Sequence, residues 1–197
     1  MHNNTAITLG QGNSASDESV ILAHGIINPW WVMAPIGRHL KRLGYRVIYW
    51  DYPSRNPVAA GSRFVMIGPP NNGCEIAEEL YHHRIFRWAY GERAIRQLFA
   101  SDKAFHEECG IPPIEFGIIA GGKGDVKGFY SGLGHDNDGT VTVASTRLQG
   151  ARDFIILPHT HMGLLISKQV SRQVEHFLQE GNFTPFHNAK RTIDEKR

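Results

Sequence analysis

Cysteine is nearly absent from this chain: Cys74 and Cys109 are the whole complement. Two thiols make neither a disulfide framework nor a four-ligand zinc site, and their scarcity suits a reducing compartment. Concentrated charge is missing too. Lys and Arg total 21 against 19 Asp and Glu, a formal charge of +2. Apart from Lys190-Arg191 and Lys196-Arg197 the basic residues are scattered, so no stripe faces a phosphate backbone and no nucleic-acid partner is expected. No apolar run is long enough to span a bilayer. The opening stretch, Met1 to Ser19, is polar and rich in Asn, Gly and Ser, without the basic-then-apolar order of a secretory signal. These absences lead us to expect a cytoplasmic protein with no membrane span.

What is present is ordinary for a globular domain. Hydrophobic residues make up 41% and charged residues 20% of 197 residues, and one domain is the default at that length. We expect a flexible N-terminal lead at 1–18, a folded domain at 19–186 and a polar C-terminal tail at 187–197. No internal repeat is visible.

The hydrophobic pattern alternates between short runs and helical stripes. Ser19 to Ala23 reads as a strand ending at His24-Gly25, and Met33, Ile36, Leu40 and Leu43 then recur at helical spacing, with Gly44 as the stop. Arg46 to Trp50 is a second strand, ended by Asp51-Tyr52-Pro53. Strand, helix, strand makes a βαβ unit, so the class is α/β with a parallel sheet flanked by helices. Further strands are expected at Phe64 to Ile67, Phe116 to Ala120 and Phe154 to Leu157. Helices are expected from Glu75 to about Trp88, over Glu92 to Phe99, and from about Leu165 to Gln179. Gly121 to Gly134 is a glycine-rich loop.

Several ordered motifs lie on this frame: His24-Gly25 after the first strand, Asp51-Tyr52-Pro53-Ser54-Arg55, and Pro69-Pro70-Asn71-Asn72-Gly73-Cys74-Glu75. They continue with His135-Asp136-Asn137-Asp138-Gly139-Thr140-Val141, Ser145-Thr146-Arg147-Leu148, Leu157-Pro158-His159-Thr160-His161 and Phe177-Leu178-Gln179-Glu180-Gly181-Asn182-Phe183. In this order, over roughly Ser19 to Phe186, they resemble the lipase/esterase-like bacterial branch of the α/β-hydrolase superfamily. The resemblance implies that Asp138 is the acid and His161 the base of a catalytic triad. It also implies that the N–H of Ile26, after His24-Gly25, lies in an oxyanion hole. A serine needs the first pair because a neutral hydroxyl is a poor nucleophile; the imidazole takes its proton and the carboxylate orients the ring. The oxyanion hole stabilises the charge of a tetrahedral intermediate. The residues alone also allow plainer readings: Asp138-Gly139 as a tight turn, His161 as a helix-start residue, and His24-Gly25 as a turn that needs glycine.

The nucleophile is the missing part. The superfamily carries it in Gly-x-Ser-x-Gly at a strand-to-helix turn, and no serine here fits. Gly12-Asn13-Ser14 precedes the first strand, Ser62 begins one, and Ser54 belongs to a stretch that is not catalytic in the relatives. In relatives a crossover helix, a strand, the serine turn and a further helix separate the Tyr-Pro-Ser-Arg stretch from the strand before Pro-Pro-Asn. Here only Asn56 to Ser62 do so, where a parallel crossover usually takes about a dozen residues or more. The sheet is therefore expected to be narrowed by loss of the central strand. An apolar face beside the gap would favour a homodimer.

Cys74, after Gly73 at a strand-to-helix turn, is a substitute nucleophile in shape, because a helix start lowers a thiol pKa; a capping or packing role is the alternative. Adjacent His82 and His83 on one helix point about 100° apart and do not share a metal ion easily. Gly121-Gly122-Lys123-Gly124 lacks the phosphate-loop pattern. No metal or cofactor is therefore expected. Trp30 and Trp31 are candidate walls for a small apolar ester or acyl ligand, or ordinary core. Function is read as a carboxylic-ester hydrolase by descent, its activity weak or lost, with a non-catalytic binding protein on the same scaffold as the alternative.

Overall fold

β-Branched, aliphatic and aromatic residues build five short strands in the computed structural model, which describes residues 19–23, 30–50, 63–90, 92–96, 98–99 and 111–185. Strand β1 (Ser19–Ala23) is followed by a 3-10 turn (Trp30–Met33) and helix α1 (Ala34–Arg42), then β2 (Arg46–Trp50) and β3 (Arg63–Ile67). Helices α2 (Glu75–Tyr81), α3 (Arg84–Tyr90) and α4 (Glu92–Arg96) precede β4 (Glu115–Gly121). A 3-10 turn (Ser131–Leu133), α5 (Val143–Thr146), β5 (Asp153–Leu157), α6 (His161–Ile166) and α7 (Lys168–Glu180) complete the order.

Every pairing between these five strands is parallel. The ladder nevertheless divides: β1 pairs with β2, while β3, β4 and β5 form a separate three-stranded sheet in that order. The single narrowed sheet expected from the sequence is thus two sheets among the described residues, broken between β2 and β3 in chain order. Helices hold the halves together. His39 Nε2 on α1 lies 2.9 Å from Glu175 Oε2 on α7, and Gln179 Nε2 donates to Tyr45 Oη at 3.2 Å. Leu22, Ile36, Leu40, Tyr45 and Leu165 form one cluster, with Ile67 and Leu178 packed against it from the other half.

The second core lies between α7 and the three-stranded sheet. Central β4 is buried from Phe116 to Gly121. Gly117 leaves the space that Phe177 fills; a Cβ there would lie 2.4 Å from the Phe177 ring. Phe177 itself is fully buried and stacks obliquely on Phe183, centroids 4.8 Å apart. At the N-terminal ends of the strands, Arg63 Nε donates to Glu115 Oε2 at 2.6 Å and its Nη1 to the Leu178 carbonyl at 2.8 Å, which ties β3, β4 and the end of α7 together.

Three expected helices are shorter or divided. The one from Glu75 breaks at His82-His83 into α2 and α3, and the next covers only Glu92–Arg96. The last is interrupted at Ser167, whose Oγ accepts from the N–H groups of Gln169 and Val170 and so starts α7 afresh. A one-residue break leaves the apolar stripe nearly in phase, which is why periodicity did not reveal it. Helix α5 was not expected. Among the described residues no helix is long and apolar enough to cross a membrane.

Replacing Phe177 by Ala is expected to remove about 3–5 kcal/mol of stability. Ile166→Ala, at a position 65% exposed, should change it by no more than about 0.5 kcal/mol. Urea unfolding followed by far-ultraviolet circular dichroism compares the two; equal midpoints would remove Phe177 from the centre of the core.

Candidate active site

The turn that presents Asp138 is built by its own side chains. Asn137 and Thr142 form an antiparallel bridge around it, and Gly139 takes φ 92°, which favours glycine. Asp138 Oδ1 accepts from the N–H groups of Thr140 at 2.9 Å and Val141 at 2.7 Å. The plain reading of Asp-Gly as a turn therefore holds, and it leaves Oδ2 unused by the backbone. Neighbouring Asn137 is fully buried and works as a clamp. Its Oδ1 accepts from Tyr130 N and Gly139 N, and its Nδ2 donates to the carbonyls of Lys127, Tyr130 and His135. Asp136 turns the other way. Its carboxylate accepts from Lys123 N and Gly124 N, both at 2.8 Å, and pins the glycine-rich loop.

His161 is the first residue of α6, with Thr160 as the cap. Its Nδ1 lies 2.7 Å from Asp138 Oδ2. A second bond joins the same residues through the backbone, His161 N donating to the Asp138 carbonyl at 2.8 Å. The carboxylate side chain is fully buried while the imidazole side chain is 25% exposed. With the Asp138 carboxylate accepting a hydrogen bond from the Nδ1–H, Nε2 carries the lone pair. Among the described residues nothing hydrogen-bonds to Nε2.

Two glycines at strand ends make room for the pair. Gly68, just after β3, has φ 58°, and a Cβ there would lie 3.2 Å from His161 Cε1 and Nδ1. At Gly121, the last residue of β4, a Cβ would lie 2.6 Å from Asp138 Cβ and 2.4 Å from the His159 carbonyl oxygen. The pair thus sits over the C-terminal ends of β3 and β4, where ligands bind in parallel sheets. Sequence reasoning missed Gly68, Gly121 and Asn137 as site residues. The only signal was a glycine closing each of two apolar runs.

The Pro69 to Gly73 segment fastens this region from below. Asn71 Nδ2 donates to the Thr146 carbonyl at 2.8 Å, and Asn72 Nδ2 to the Arg147 carbonyl at 2.7 Å. Cys74 caps α2, is buried, and points its Sγ at the Thr140 carbonyl 3.3 Å away. Burial pushes its thiol pKa up, against the pull of the Ala77 and Ile76 N–H groups, and the charges of Glu75 and Asp138 push the same way. The helix-start depression expected of this thiol is outweighed. His159 belongs to another set: its Nε2 lies 2.9 Å from Ser167 Oγ and 3.1 Å from Gln169 Oε1.

Trp31 is 60% exposed on the 3-10 turn that packs against α6, and Met162 and Ile166 on α6 are exposed as well. His82 and His83 are exposed. His24, Gly25, Ile26, Ser54, Ser62 and Cys109 lie outside the described residues, as does the whole stretch 51–62. Among the described residues no group of His, Cys, Asp and Glu is placed to hold a metal ion.

No family model matches the chain, and no curated protein matches it. Two solved structures are similar in fold. One is Bacillus licheniformis lipase BlEst2 in mature form, at TM-score 0.47 and 20% identity, over 82% of this chain and 65% of that one. The other is the propeptide form of the same lipase, at TM-score 0.49 and 19% identity, over 86% of this chain and 38% of that one. The chain therefore spans less than two thirds of either structure.

Two predictions follow from the geometry. In Asp138→Asn the amide oxygen keeps the Thr140 and Val141 N–H groups, so the NH2 group faces His161 Nδ1 and forces the proton onto Nε2. Nitrogen NMR of the labelled imidazole should report that tautomer switch in a folded protein; an unchanged tautomer would break the assignment. Iodoacetamide at neutral pH should leave Cys74 unmodified until urea unfolds the chain, with peptide mapping separating it from Cys109.

Proposed function

We propose that this protein is a carboxylic-ester hydrolase by descent, in which Asp138 and His161 are the retained acid and base and the usual serine is lacking. The carrying observation is the 2.7 Å contact between His161 Nδ1 and a fully buried Asp138 carboxylate, placed over the ends of parallel strands. A buried carboxylate on one face of an imidazole, with the opposite nitrogen open, is the arrangement that makes histidine a general base. The break in the strand ladder supports the missing-serine reading. It falls between β2 and β3, the interval in which the resemblance places the absent strand and serine turn.

Exposed Trp31, on the turn that packs against α6, and exposed Met162 on α6 support a small apolar ester or acyl group as the ligand, since exposed apolar side chains near a site favour an apolar ligand. The same surface supports the second reading, a binding protein that holds an acyl ligand without cleaving it. The two separate on turnover.

With short-chain p-nitrophenyl esters, slow hydrolysis is expected from the full chain, and His161→Ala should lower the rate by about 10²-fold. Turnover unaffected by His161→Ala would remove the acid-base reading. Saturable acyl-ligand binding with no turnover would favour the binding protein.

A further inference from the structure

We infer that His161 is itself the nucleophile, and that the protein cleaves activated acyl compounds, aryl esters and thioesters, through an acyl-imidazole on Nε2. The inference rests on the ester-hydrolase reading and names its attacking atom and substrate class.

Three observations carry it. The Nδ1–H is held by Asp138 at 2.7 Å, which fixes the tautomer whose Nε2 lone pair is free and raises its electron density. Among the described residues no hydroxyl or thiol hydrogen-bonds to that nitrogen. The ring is one-quarter exposed, and the adjacent Gly68 presents no side chain where a Cβ would touch the ring at 3.2 Å. Cys74, the substitute nucleophile weighed from the sequence, has its sulfur turned to the Thr140 carbonyl.

The step balances without a co-reactant other than water. The Nε2 lone pair adds to the acyl carbon, and the tetrahedral adduct expels a phenolate or thiolate with the bonding pair. The resulting N-acyl-imidazolium keeps its Nδ1 proton against Asp138. Water then adds to the acyl carbon and loses a proton, the carbon–nitrogen bond breaks toward Nε2, and a carboxylic acid leaves with the neutral imidazole restored. An alkoxide leaves less readily than imidazole from the same adduct, so ordinary alkyl esters are excluded. That is a difference in substrate class from a serine enzyme.

The test uses the full chain, p-nitrophenyl acetate and a phenyl thioacetate, with ethyl acetate as the alkyl comparison. Expected are hydrolysis of the two activated compounds and not of ethyl acetate, a solvent deuterium isotope effect near unity, and, when hydroxylamine intercepts the acyl group, hydroxamate formation above the His161→Ala background. Both His161→Ala and Asp138→Asn should lower the rate by about 10²-fold; Asp138→Asn keeps the turn hydrogen bonds and so guards against simple unfolding. If His161→Ala is inactive but the isotope effect is well above unity and hydroxamate does not exceed the His161→Ala background, His161 acts on water: the ester-hydrolase reading stands and this inference falls. If a fluorophosphonate labels a serine, the nucleophile lies there and the inference also falls. No hydrolysis of any compound, or hydrolysis indifferent to His161→Ala, overturns both.

Discussion

A carboxylate out of water is costly, by several kcal/mol even after relaxation, unless its oxygens are met. Asp138 is 1% exposed, and every polar atom it has is engaged. One oxygen takes two backbone N–H groups, the other takes His161, its own N–H donates to Val141 O, and its carbonyl accepts from His161 N. The arrangement determines much else. The turn from Asn137 to Thr142 closes around it, α6 starts where its backbone meets the carbonyl of Asp138, and glycines stand just after β3 and at the end of β4, where a Cβ would lie 3.2 Å from the imidazole and 2.4 Å from the His159 carbonyl oxygen respectively. Imidazole and carboxylate are held by a side-chain bond and a backbone bond together, so the ring has little freedom to leave.

The strand-end glycines and the loop clamp extend the same constraint outward. Asn137 spends both ends of its amide on the chain from Lys127 to Gly139, so a loop without periodicity becomes a fixed wall. Asp136, one residue further back, spends its carboxylate on Lys123 and Gly124. Alternating side chains of one short segment thus face opposite tasks: Asp136 and Asp138 flank a buried amide, and only the second reaches the histidine.

The three-stranded half was legible in the sequence because buried parallel strands leave nearly continuous apolar runs; Phe116 to Ala120 and Phe154 to Leu157 lie within β4 and β5. The pairing of Asp138 with His161 was legible through motif order, which spacing alone does not supply across the intervening strand β5. Helix boundaries were poorly legible, since His82-His83 and Ser167 interrupt the chain without changing the polar balance of the stripe. The clamp role of Asn137 had no signal at all, because a buried amide that satisfies main-chain groups looks in sequence like any loop asparagine. Cys74 illustrates competition between two rules: a helix start draws a thiol toward thiolate, burial draws it back, and at this position burial wins.

The division of the ladder sets the carboxylate–imidazole pair in one half of the fold. Asp138, His161, Gly68 and Gly121 all belong to β3–β5 or to the segments that follow those strands, and the hydrogen bonds of the pair are made within that half. What joins it to β1 and β2 is helix packing, through α1, α7 and the Leu22–Leu165 cluster, with no strand pairing across the break among the described residues. The carboxylate–imidazole geometry therefore needs no strand pairing to β1 or β2.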